Sequence, residues 1–108
     1  MIEIKGKFRQ NYKLQGYFEM PSELEPHQGI YVVYDKYNGN YKPIDIGESE
    51  NIKERISNHD RKKDWRKIAK GTICYAVKYL IGCDERIRKE VEQDLRDKYE
   101  EEWLSGER

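Results

Sequence analysis

Residues 29–46 carry the pattern that most restricts the fold of this chain. A β-branched and aromatic run, Ile30-Tyr31-Val32-Val33-Tyr34, leads to Asn38-Gly39 and then to a second run from Tyr41 to Ile46. Val, Ile and Tyr suit a pleated, covered surface, and Asn-Gly accepts the left-handed backbone of a tight turn. The segment therefore predicts an antiparallel hairpin. A two-residue Asn38-Gly39 loop would pair Tyr31 with Ile46, whereas a three-residue Tyr37-Asn38-Gly39 loop with Gly39 left-handed would pair Tyr31 with Asp45. The second register is favoured because it gathers Ile30, Val32, Ile44 and Ile46 on one face and leaves Tyr31 and Asp45 together on the other. Pro43 has no N–H for a ladder, so an edge position or a bulge is expected there.

The hairpin is followed by a helix whose start is marked by Asn51 as N-cap and Glu54 three residues on, with Ile52 and Ile56 as its buried stripe. Arg55 and His59, four apart, are expected to point the same way beside that stripe. Trp65, Ile68 and Ala69 predict a second helical segment closed by Gly71. Thr72 to Leu80 is apolar at both parities, as a central strand would be. A last helix is predicted from about Asp84 to Trp103, with Ile87, Val91, Leu95 and Tyr99 as its stripe. The expected fold class is α+β: a small three-stranded antiparallel sheet flanked by helices. In residues 1–28, Ile2, Ile4, Phe8, Tyr12, Leu14, Tyr17 and Phe18 suggest one or two short strands or an irregular cover, ended by Pro21 and Pro26. Residues 1–28 form a short N-terminal extension of the same domain, 29–103 the domain proper, and 104–108 a tail.

With 108 residues the chain is one domain, and with 39% of them charged and 36% hydrophobic its core must come from a few apolar stripes. Cys74 and Cys83 are too far apart for a CxxC pair, so neither a disulfide framework nor a zinc knuckle is expected and a cytoplasmic setting follows. No run approaches the roughly twenty apolar residues of a membrane span. Net charge is zero, yet it is segregated. Residues 49–70 carry Lys53, Arg55, Arg61, Lys62, Lys63, Arg66, Lys67 and Lys70 against four acids, while residues 84–108 are acidic by a similar margin. The basic segment directly follows Asp45-Ile46-Gly47, where it would meet a phosphate chain favourably.

Gly29-Ile30-Tyr31, Asp45-Ile46-Gly47, Arg55, His59, and Glu92 three residues before Leu95 stand in an order that resembles the GIY-YIG nuclease family. The likeness covers about residues 29–103, with Asp45 in the place of a Tyr and no late Asn after Glu92. It implies a GIY-YIG endonuclease-like fold and divalent-metal-dependent hydrolysis of phosphodiester bonds in DNA. Tyr31 would activate the attacking water directly or through a neighbour, and Arg55 would face the charge that builds on the phosphoryl oxygens. Glu92 would hold Mg²⁺ or Mn²⁺, and His59 would hydrogen-bond near Tyr31 or the phosphate. Asp45 is open to two roles, base or added metal ligand, with Glu48 close enough to share them. Loss of the second Tyr leaves an alternative, a nucleic-acid-binding module that does not cut. Lys53, Arg61, Lys62, Lys63, Arg66 and Lys67 are the candidate DNA contacts. No other cofactor and no membrane partner is expected, and a protein partner that supplies specificity is.

Overall fold

The computed structural model describes residues 2–8 and 11–99; the expected end of the last helix at Trp103 and the tail 104–108 lie outside the described residues. Five strands form one sheet, β1 (Ile2–Lys5), β2 (Asn11–Phe18), β3 (Gly29–Tyr37), β4 (Asn40–Ser49) and β5 (Thr72–Tyr79), in the order β1-β2-β5-β3-β4. Every neighbouring pair is antiparallel. The expected three-stranded sheet is thus corrected to five strands. The missing pair comes from residues 1–28, where β1 turns Ile2 and Ile4 toward the core and β2 turns Tyr12, Leu14 and Tyr17 toward it. The inward alternation spans only Ile2 and Ile4 in β1 and Tyr12 and Leu14 in β2, too short to separate a strand from an irregular cover, and β2 is further broken by a register shift between Gln15 and Phe18.

Helices cover both faces. On one, α3 (Glu85–Tyr99) adds Val91 and Leu95 to Ile4, Leu14, Ile30, Val32, Ile46 and Ala76. On the other, α1 (Ile52–Ser57) and α2 (Lys62–Ile68) lay Ile52, Ile56 and Trp65 on Tyr31, Val33, Ile44 and Val77. The central strand β5 accordingly feeds both cores, Cys74 and Ala76 to the first and Tyr75 and Val77 to the second. No described helix is long and apolar enough to cross a membrane.

The hairpin register differs from the expected one. Asn38 and Gly39 both take positive φ, 52° and 76°, so the loop is the two-residue mirror-image turn that Asn-Gly favours, and Tyr37 pairs with Asn40. Near Pro43 the ladder then slips by one residue, so that Val33 pairs with Asp45 and Tyr31 with Gly47. Tyr31 is therefore opposite a glycine and not opposite Asp45. The same bulge moves Ile44 away from Ile30, Val32 and Ile46 and into the α1/α2 core. Pro43 cannot donate to a ladder, which is why the irregularity falls there.

On α3, Asp94 braces the connection after β1. Its carboxylate accepts from the Phe8 N–H at 2.8 Å and the Tyr12 hydroxyl at 2.7 Å, and its carbonyl from the Lys7 N–H at 3.1 Å. Gly6 lies so close that a side chain there would overlap the Asp94 carboxylate.

Candidate active site

Three elements converge at the edge strand β4. Tyr31 from β3, Gly47 and Glu48 from β4, Arg55 from α1, Arg61 before α2, and Glu92, Gln93 and Arg96 from α3 line one cleft of about 190 Å³. A wider concavity of about 340 Å³, between the end of β4 and α1, shares Arg55 with it. Of the candidate residues, Tyr31, Arg55, Arg61 and Glu92 are brought together in the cleft, and His59 stands behind Tyr31.

Tyr31 is 1% exposed, and its hydroxyl lies 2.7 Å from His59 Nε2. α1 ends at Ser57, so His59 is beyond the helix and not on its surface as the four-residue spacing predicts. It still reaches Tyr31, because its ring is packed against Trp65 with centroids 4.5 Å apart. The Arg61 backbone N–H donates to His59 Nδ1 at 3.0 Å. A backbone donor cannot rotate away, so we assign the neutral ring its proton on Nε2, directed at the Tyr31 oxygen. Asp60 also approaches Nδ1, at 3.2 Å, but its carboxylate is exposed and is shared with Arg55 at the same distance. Burial, then the positive charges of Arg55 and Arg61, push the His59 pKa down to about 4, so the ring is neutral at pH 7. Burial pushes the Tyr31 phenol well above its ordinary value, opposed by Arg55 and Arg61. The phenol therefore stays protonated at rest.

Asp45 is fully buried and does not line the cleft. Its Oδ2 accepts from Arg61 Nε at 2.6 Å and Trp65 Nε1 at 2.8 Å, and its Oδ1 from Arg61 Nη2 at 3.2 Å, Arg96 Nη1 at 3.3 Å and the Ile46 N–H at 2.9 Å. Five donors occupy the carboxylate. Its role in this geometry is to tie β4 to α2 and α3 and to aim two arginines, which the four-residue reach of a sequence motif does not disclose.

The carboxylates that do line the cleft are Glu48 and Glu92. Arg88, itself buried, holds Glu48 through Nε at 3.2 Å and also donates to the Gln28 side chain. Burial raises the Glu92 pKa above the usual carboxylate value, with Arg96 lowering and Glu48 raising it. A divalent cation would offset that cost. Among the described residues no group of three or more His, Cys, Asp or Glu assembles to hold a metal. The donor set fits a hard, largely hydrated ion such as Mg²⁺ or Mn²⁺ held through one or two carboxylates, and does not fit a protein-encaged one.

The rest of the basic segment is elsewhere. Lys63, Arg66 and Lys67 are exposed on α2, Lys53 is half-buried on α1, and Lys62 donates to the Ser57 carbonyl at 2.7 Å. None of them lines the cleft. Three residues that sequence reasoning left without a site role complete it: Gln93, Gly47, whose lack of a side chain makes room for Tyr31, and Arg96, which in an acidic amphipathic helix looks like an ordinary solvent-facing base. Compared with protein-family models, with curated proteins and with solved structures, the chain gives no match.

Proposed function

We propose that this domain is a divalent-metal-dependent endonuclease that hydrolyses phosphodiester bonds in DNA, in the manner of the GIY-YIG nucleases that its motifs resemble. The observation that supports this reading is the convergence of Tyr31, Arg55 and Glu92, from β3, α1 and α3, on one cleft. Packing alone gives no reason for a strand phenol, a helix guanidinium and a distant carboxylate to share a concave surface. In this mechanism Arg55 presents its planar donors to the phosphoryl oxygens as their charge grows. Tyr31, with its oxygen already receiving the His59 Nε2 proton, accepts a hydrogen bond from the attacking water and orients it. Any loss of the phenolic proton leans on Arg55 and Arg61, whose charges favour the phenolate. Glu92, with Glu48 beside it, would hold the metal. A bound Mg²⁺ or Mn²⁺ would supply stabilisation of the charge on the reacting phosphate.

The two cysteines are free, which supports a reducing, cytoplasmic setting. Target preference then comes from an associated protein or is low.

The test is nicking of supercoiled plasmid in Mg²⁺, Mn²⁺ or EDTA by the wild-type protein and by Tyr31→Phe, Arg55→Ala and Glu92→Gln. Metal-dependent nicking that all three variants lose supports the proposal, and nicking indifferent to Glu92→Gln sinks the metal role. A second reading, a DNA-binding module without catalysis, is favoured by Asp45, which replaces a reactive phenol with a carboxylate whose oxygens are already occupied. Salt-dependent DNA binding in EDTA with no nicking in either metal selects that reading.

A further inference from the structure

Among the described residues, the buried side-chain polar atoms that lack a hydrogen-bond partner are two nitrogens of Arg96, Nε and Nη2. Arg96 is 4% exposed and lines the cleft one helical turn after Glu92. Its third guanidinium nitrogen is committed: Nη1 donates to the Ile46 carbonyl at 2.6 Å and to Asp45 Oδ1 at 3.3 Å. Those bonds fix the guanidinium plane. They leave the buried Nε–H and Nη2–H edge as an unpaired fork, which is the arrangement that matches two oxygens of one phosphate. Leaving a buried donor unpaired is destabilising, and more so when it is charged. Glu92 does not relieve that cost, since neither nitrogen has a partner.

We propose that Arg96 is an anion-binding residue of this cleft, its Nε/Nη2 edge taking two oxygens of a phosphate group and its Nη1 serving as the anchor that holds the fork in place. Asp45 is then the positioning residue. It holds Arg96 at one oxygen and Arg61 at both, so that two cations are aimed from α3 and from the start of α2. The assignment of that phosphate to a nucleic-acid strand rests on the phosphodiesterase reading; the fork itself does not.

The experiment reads the fork directly, on the whole chain and without turnover. Proton–nitrogen NMR spectra of the arginine Nε–H groups are recorded in EDTA while sodium phosphate, or separately a thymidine dinucleotide, is added at constant ionic strength against a chloride control. The Arg96 Nε–H signal is expected to move saturably with both probes and not with chloride. Arg96→Lys, which keeps a donor for the Ile46 carbonyl but loses the fork, is expected to weaken phosphate binding by about tenfold or more. An Arg96 signal that neither probe moves overturns the proposal, as does a folded Arg96→Lys protein that binds phosphate like the wild type. Response to inorganic phosphate alone keeps the fork and overturns its assignment to a nucleic-acid strand. Plasmid nicking beside an unmoved Arg96 signal defeats this inference alone, whereas a moved signal without nicking defeats the endonuclease reading alone.

Discussion

Tyr31 and Gly47 are cross-strand partners, and the phenol of the tyrosine occupies the volume that any side chain on the glycine would need. Gly47→Ala would drive a methyl group into the Tyr31 hydroxyl and ring. Such overpacking should cost roughly 1–3 kcal/mol in urea unfolding and pull the phenol off His59. A Gly47→Ala protein as stable as the wild type would show that the ring has room to spare.

The Asp45 carboxylate neutralises Arg61 and Arg96 inside the fold. Asp45→Ala leaves both guanidinium groups without their buried partner and the Trp65 N–H without its acceptor. Breaking a buried pair from one side typically costs about 3–5 kcal/mol, and that is the expected loss. A loss below about 1 kcal/mol, the range of an exposed pair, would contradict the buried network.

His59 gives a pH signature with a definite sign. Its pKa is lowered from 6.5 to about 4 on folding, so between those values the unfolded chain binds more protons than the folded one. Stability should therefore rise with pH across that window and be lost as pH falls through it, by up to about 1.4 kcal/mol per pH unit. Glu92, whose pKa is raised by burial, contributes the opposite slope above the normal carboxylate value. The difference between wild type and His59→Gln in urea melts at pH 4.5, 5.5 and 6.5 isolates the histidine. Parallel curves would mean that the ring titrates normally.

Glu92 is held at a cost. Because burial disfavours its charged form, Glu92→Gln should raise thermal stability at neutral pH, by up to about 1 kcal/mol, while removing metal-dependent activity. Adding Mg²⁺ should stabilise the wild type and not the variant. Equal shifts of melting temperature with Mg²⁺ in both proteins would rule Glu92 out as the ligand.

What was legible in the sequence was what lies on a strong local period. The hairpin, the cap at Asn51, the two-faced strand β5 and the Val91–Leu95 stripe are each written in side chains within a few residues of one another. The strands β1 and β2 were legible only as one option beside an irregular cover: Ile2 and Ile4, then Tyr12 and Leu14, alternate inward, but each run is short and β2 is broken by its register shift. The register failed for another reason. An Asn-Gly turn fixes pairing only as far as the next irregularity, and the bulge beside Pro43 adds one residue before the ladder reaches Asp45. Asp45, Arg61 and Arg96 are joined across 16 and 51 residues of chain, and a charge network of that span leaves no spacing to read. Arg96 belongs to a helix where acids and bases alternate, and only the packing separates it from its solvated neighbours.

The brace between Asp94 and the connection after β1 reaches further than its own hydrogen bonds. Asp94 lies midway along the helical turn that joins Glu92 to Arg96, and it is clamped by the Lys7 and Phe8 amides and the Tyr12 hydroxyl. A stretch with no chemistry of its own thus works as a splint for the helix that carries Glu92 and the unpaired guanidinium fork of Arg96. Substitutions that silence the cleft are to be sought around Gly6 as well as around Tyr31, and those at Gly6 would leave every candidate reactive group in the sequence untouched.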